Sequence, residues 1–142
     1  MPPNTGAVLR LSNSSIQVPE GYKVVSNNPK GLVALAYNAS LVSSIGLTDG
    51  PAINDALTLR ERAQTEGTSG YLLTPEFQGV TTVAGQDAYY VAGPIDSVSR
   101  IDLFGFVYDG NSIDVRIQVP QQMPEEQRQA IVDATLASLT LF

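Results

Sequence analysis

The sequence predicts an α+β domain, an antiparallel sheet accompanied by two helices. Three observations carry this reading. Runs with strand character outnumber runs with helical spacing, short turns rich in Gly, Asn, Asp and Pro join them, and only two stretches carry helix-start signals. Antiparallel strands close through tight hairpins, whereas parallel strands need a crossover of a dozen residues or more. A strands–helix–strands–helix order with hairpin connections is therefore the α+β pattern.

In chain order, the first strand signals are residues 8–11 and 15–18, separated by Ser12-Asn13-Ser14. Val18-Pro19-Glu20-Gly21-Tyr22 punctuates a turn into a short strand at 22–26. Asn27-Asn28-Pro29-Lys30-Gly31 reverses the chain into 32–37, a short apolar run of the kind a buried strand shows. Residues 38–50 are polar and read as a loop. Gly50-Pro51 then opens a predicted helix reaching about Glu66, because Pro at the first helical position lacks an N–H that would be unpaired anyway. Ile53, Ala56, Leu57 and Arg60 form its stripe, and Gly67 follows as a left-handed C-cap.

Beyond Thr74-Pro75, residues 77–83 and 87–92 read as a hairpin turning at Gly85-Gln86 with type II′ geometry. That register sets Val80 opposite Val91 and Thr82 opposite Tyr89. Gly93-Pro94 and Asp96-Ser97 make the next corner. Residues 100–108 and 112–119 flank Asp109-Gly110, a type I′ signal. With Tyr108 and Asn111 closing the turn, Phe104 faces Val115 and Phe106 faces Ile113. Phe104, Phe106, Ile113, Val115 and Ile117 then share one sheet face, and Ile101, Leu103 and Val107 lie on the other. A strand that is apolar on both sides belongs in the middle of a covered sheet. Its partner alternates with Ser112, Asp114, Arg116 and Gln118, and is expected either nearer the sheet's edge or with that face wet. Pro120 ends the strand and Pro124 opens the last helix, with Glu125 and Glu126 at the positive end of its dipole. Val132, Leu136 and Leu139, supported by Ile131 and Ala134, form the stripe that ties it to the core.

A length of 142 residues fits one domain, read as 8–142 with 1–7 a linker remnant. A hydrophobic fraction of 43% against 15% charged residues describes a folded chain rather than a disordered one. Fourteen acidic and eight basic residues give a net charge of −6. Lys23 and Lys30 are the only lysines, and the arginines are scattered from Arg10 to Arg128. With no basic stripe to displace counterions, a nucleic-acid partner is not expected, and an anionic membrane surface repels the domain. No apolar run approaches the ~18 residues of a membrane span, and residues 1–15 lack the pattern of a signal peptide. The Ser, Thr, Asn and Gln-rich, low-lysine composition favours an extracytoplasmic place, secreted or at a cell envelope, after removal of a leader.

The chain has neither histidine nor cysteine. A Ser–His–Asp or Cys–His arrangement and the usual zinc sites are thereby excluded. No D-x-D-x-D-G loop, G-x-x-x-x-G-K or G-x-G-x-x-G is present. No catalytic, cofactor-binding or metal residue is assigned, no cofactor is expected, and the chain is read as not an enzyme. Asp109 is a turn residue. Asp102 is the carboxylate to watch, because it shares a face with Phe104 and Phe106. It either pairs with Arg100 or reaches water, or burial raises it into a functional acid. Tyr89 and Tyr90 place one ring on each face. Gly67-Thr68-Ser69-Gly70 is a short flexible corner. Asn13-Ser14-Ser15 and Asn38-Ala39-Ser40 match a glycosylation sequon that carries no meaning in a bacterial host.

Val18-Pro19-Glu20-Gly21-Tyr22-Lys23-Val24 resembles the Pro-x-Gly-aromatic corner that opens PsbP-like domains. Val80 through Ala88 resembles their Gly-centred hairpin, and Ile131 through Leu139 is similar to their final helix. The resemblance runs from about Val8 to Phe142. It implies a three-layer α/β/α arrangement with a helix on each side of a mostly antiparallel sheet. The small bacterial envelope lipoproteins of the LpqN and DcrB type look most similar, although the cysteine of a lipobox is missing. The family shares no catalytic residues to carry over, and fold does not fix function.

The leading functional reading is a non-enzymatic binding or accessory domain at the bacterial cell envelope, which a contiguous apolar patch at the sheet would support. The alternative is a small-molecule-binding protein or enzyme using carboxylates and tyrosines, favoured by a pocket that gathers Asp102, a Tyr and an Arg. A cytosolic adaptor is a third. Partner, ligand and oligomeric state stay open.

Overall fold

The Asp109-Gly110 turn sets the centre of the sheet. In the computed structural model, which describes residues 3–52 and 56–142, both residues are left-handed, with φ of 50° and 77°. That is the type I′ geometry whose twist matches the flanking strands. Ten strands and two helices follow one another along the described residues: β1 (Val8–Arg10), β2 (Ser14–Gln17), β3 (Lys23–Ser26), β4 (Val33–Asn38), β5 (Ser43–Pro51), α1 (Leu59–Arg62), β6 (Glu76–Val83), β7 (Gln86–Pro94), β8 (Ser99–Tyr108), β9 (Asn111–Pro120), α2 (Glu125–Ala137) and β10 (Thr140–Leu141). The main sheet runs β3-β4-β5-β9-β8-β7-β6, and β1-β2-β10 form a small second sheet. Every pair is antiparallel.

The β8–β9 register is the expected one, with Phe104 opposite Val115 and Phe106 opposite Ile113. These residues and Ile117 are buried in one cluster with Ile131 and Val132 of α2. Ile101 and Leu103 are buried on the other face with Ala63 and Val91. The two faces thus have separate cores, one under α2 and the small sheet, the other under α1.

Four expectations are corrected. First, residues 43–51 form β5 rather than a loop. Ser43, Ile45, Leu47 and Asp49 point inward in strict alternation. Two of these positions are polar because each has a buried partner. The Ser43 hydroxyl meets the Tyr22 hydroxyl at 2.7 Å, and Asp49 accepts from the Asn13 backbone, the Asn13 amide and the Ser14 hydroxyl. Second, Pro51 ends β5 and does not open a helix. Helix α1 starts at Leu59, where Thr58 and Glu61 form a reciprocal capping box. It continues as a π-helical turn over Ala63–Gly67. Of the expected stripe, Ile53 lies outside the described residues, and Ala56 and Arg60 are exposed. Gly67 needs no left-handed conformation. A Cβ there would sit 3.1 Å from Val91 and 3.3 Å from Leu103, so glycine lets the turn approach the sheet.

Third, β9 sits at the middle of the main sheet rather than near its edge. Its polar face is partly open instead. Fourth, the β6–β7 turn falls at Ala84-Gly85, both left-handed, with φ of 50° and 78°. This type I′ turn pairs Val80 with Tyr89 and Thr82 with Asp87. It also brings Val83 into the core at the hairpin's end, which offsets the cost of about 1–2 kcal/mol for a left-handed alanine.

Helix α2 is integral to the fold. Ile131 and Val132 are buried, Leu136 is half-buried against the same cluster, and Leu139 is buried just past the helix end. Val132→Ala should lower stability by about 2 kcal/mol and Leu136→Ala by less, read as urea-unfolding midpoints. Equal, negligible losses would show α2 to be peripheral. Ahead of β1, Asn4 donates to the Gln17 carbonyl and the Thr135 hydroxyl, and the Gly6 N–H bonds the Val18 carbonyl at 2.8 Å.

Candidate functional site

Two polar clusters occupy opposite faces of the sheet, and they differ in how completely their charges are satisfied. On the α2 face, Asp102 of β8 is fully buried. Arg128 of α2 donates through Nη1 to both carboxylate oxygens at 2.8 Å, and the Tyr90 hydroxyl donates to Oδ1 at 2.6 Å. Arg100 stands 4.0 Å away. Tyr90 is itself stacked on Phe104 with centroids 4.4 Å apart. Burial and the bond to the carboxylate push the Tyr90 hydroxyl up to about 12. Burial alone would lower the Arg128 guanidinium, but the Asp102 carboxylate more than reverses this and holds it above its ordinary value. Arg128 and Tyr90 are spent on Asp102, while the buried Arg100 Nε has no hydrogen-bond partner. Tyr90, Arg100 and Arg128 line a cleft of about 480 Å³, yet Asp102 itself lies behind them and does not. This cluster is a structural ion pair that fastens α2 to the sheet.

The α1 face holds a different arrangement. One row crosses the sheet through Tyr89, Gly105, Asp114, Thr48 and Val33, each opposite the next. The middle of this row is built from small residues. Gly105 lets the Tyr89 ring lie flat across β8, since a Cβ there would fall inside that ring. Ser44, Gly46 and Thr48 keep β5 low. On this face α1 and its π turn pack on β6, β7 and Leu103 of β8, and among the described residues the helix packed on β9 is α2, on the opposite face. The step between covered and open halves is a cleft of about 440 Å³. Its apolar walls come from Val33, Leu35, Tyr71 and Leu103, and its polar groups from Asp114, Arg116, Glu66 and Thr48.

Asp114 is partly exposed and lines this cleft. Burial pushes its carboxyl up to about 7, against the hydrogen bond with Thr48. Nearby Glu66 adds to the rise and Arg116 opposes it. Glu66 is already engaged by Arg62 at 3.3 Å. The Tyr89 hydroxyl is buried with no hydrogen-bond partner. Burial first, then the Asp114 and Glu66 carboxylates, raise it well above its ordinary value, so it stays protonated. Arg116 reaches the Gln118 amide oxygen at 3.0 Å and lies over the Tyr71 ring at 5.1 Å, while its Nε is buried without a partner. A carboxyl raised by burial, beside an arginine in an apolar-walled cleft, makes this the candidate site.

No protein-family model matches the chain, and no curated protein matches it. Solved structures do. Cyanobacterial PsbP (CyanoP) from Synechocystis superposes with a TM-score of 0.61 over 98% of this chain and 95% of that one, at 11% identity. The fold is PsbP-like. A Mog1 variant matches with a TM-score of 0.55 over 96% of both chains at 14% identity. A Bacteroides thetaiotaomicron protein gives 0.60 at 11% identity over 91% of this chain. The present chain spans 45% of that protein's length. At these identities the likeness establishes the PsbP-like fold alone.

Asp102 does pair with groups the sequence left unconnected to it, since Arg128 and Tyr90 come from other elements. The carboxyl that burial raises is Asp114. The alternating Ser112, Asp114, Arg116 and Gln118 of β9 signalled a wet face, but its partner surface on β5 was hidden inside a misread loop. Asp109 is the turn residue expected. Thr68 and Ser69 bond back to the Gln64 and Thr65 carbonyls, closing the π turn that leads to Tyr71. Asn38 is buried and accepts from the Leu41 N–H. Gly105→Ala should displace Tyr89 and cost about 1–3 kcal/mol. Near-UV circular dichroism and thermal melting read both effects, and an unperturbed tyrosine signal would show that the ring does not depend on Gly105.

Proposed function

We propose that this chain is a non-enzymatic binding domain of the bacterial cell envelope, and that it holds its ligand in the Asp114–Arg116 cleft. The observation that carries the reading is the cleft itself, with apolar walls and a few convergent polar groups, Asp114 and Arg116 among them. The exposed Val33, Tyr37 and Leu72 add apolar surface at or near the open half of the sheet. The polar, low-lysine composition favours the extracytoplasmic side, and the resemblance to envelope lipoproteins favours a lipid-anchored form. The missing histidine and cysteine argue against turnover.

Gly46 supplies the test. A Cβ at this position meets only ordinary contacts, 3.7 Å from the Ala34 carbonyl and from Leu35. Gly46→Val therefore suits a strand and fills the cleft without touching the core. A soluble fragment library, followed by backbone amide shifts, should move Gly46, Thr48, Tyr71 and Arg116 in the parent protein and not in Gly46→Val. Shifts that gather elsewhere and survive the substitution would overturn the assignment.

One observation favours a second reading. A carboxyl poised near 7 is suited to general acid–base work. Hydrolase or transferase turnover that vanishes in Asp114→Asn would make the domain an enzyme.

A further inference from the structure

We infer that the cleft's ligand is a zwitterion, carrying an ammonium and a carboxylate joined by a short spacer, as in an amino acid or a short peptide. This rests on the cleft being the binding site. Asp114 and Arg116 are two residues apart on β9, so they share a face with their Cα atoms roughly 6.5 Å apart. Both side chains line the cleft. These opposite charges stand side by side without an ion pair between them. Among the described residues, no carboxylate lies within ion-pair distance of Arg116, and no cation within that distance of Asp114.

The remaining charges in the cleft do not alter this pattern. Glu66 and Arg62 engage each other, which leaves Asp114 and Arg116 as an acid and a base fixed on one wall. Such a wall is complementary to a ligand whose charges run in the opposite order. The Arg116 guanidinium, which lines the cleft, suits a carboxylate, and the Asp114 carboxylate beside it suits an ammonium. Tyr71, Leu35 and Leu103 provide an apolar wall for the spacer or a side chain.

Titration calorimetry with glycylglycine and 4-aminobutanoate is the test, with butylamine, butanoate and N-acetylglycinamide as partial ligands. At pH 8 the zwitterions should bind at least tenfold more tightly than any partial ligand. Arg116→Gln should remove their advantage over butylamine, and Asp114→Asn their advantage over butanoate. Because Asp114 must be ionised to hold the ammonium, affinity for 4-aminobutanoate, whose amine stays protonated, should rise about tenfold from pH 6 to pH 8 in the parent protein and stay flat in Asp114→Asn. Glu66, Arg116 and Tyr89 also face this group. Partial ligands that bind as well as the zwitterions, lost in Gly46→Val, would overturn the ligand class and leave the binding site standing. Silence from every class, zwitterions and fragments alike, would overturn both.

Discussion

Replacing Arg128 with Met should cost the domain about 3–5 kcal/mol, the largest loss expected of any single polar substitution. The reason is the state in which the change leaves Asp102. The carboxylate is fully buried and takes both of its Arg128 bonds at 2.8 Å. Without the guanidinium it keeps only the Tyr90 hydroxyl and a distant Arg100. A buried charge that loses its partner costs more than the pair contributes, because its desolvation is no longer offset. Combining Asp102→Asn with Arg128→Met should therefore recover a substantial part of the loss. Urea unfolding at pH 7 measures all three forms. A single-variant loss under about 1 kcal/mol, with no recovery in the double variant, would show that α2 does not depend on this pair.

Asp114→Asn should act in the opposite direction, raising stability by on the order of 2–4 kcal/mol at pH 8. Burial lifts the folded-state value to about 7, well above the ordinary aspartate value of 3.8. A group raised in this way binds its proton more tightly in the folded chain than in the unfolded one. Its stabilising contribution is complete below about pH 4 and is lost as pH rises through 7. Asparagine carries no charge to desolvate, so the variant keeps at pH 8 what the parent loses. The gap between the two should close by about pH 4. Other carboxylates titrate in both proteins, and the difference isolates Asp114. A stabilised variant with impaired ligand binding is the usual signature of a residue retained for function.

The two groups also show how far the sequence reaches. The β8–β9 hairpin was legible because Asp109-Gly110 fixes the turn and alternation fixes the faces. The central place of β8 followed from its apolar character on both sides. What escaped were features whose cause lies far away in the chain. Strand β5 looked like a loop because Ser43 and Asp49 are polar, and only Tyr22, Asn13 and Ser14 explain why they are buried. Its outward residues, Ser44, Gly46 and Thr48, dilute the pattern further, and these small side chains shape the cleft. The pairing of Asp102 with Arg128 spans 26 positions and two elements, so no local spacing announces it. The start of α1 was written in Thr58-Leu59-Arg60-Glu61, a capping-box pattern that the stronger-looking Gly50-Pro51 obscured.

The most direct test of the account, that the working site is the poorly solvated cleft around Asp114 and not the saturated pair on the opposite face, is the titration of one carboxyl. The ¹³C shift of the Asp114 side chain, followed from pH 3 to pH 9 in the free protein, should show a midpoint close to 7. A midpoint near 4 would mean that water reaches the carboxyl freely, and would contradict the cleft as described.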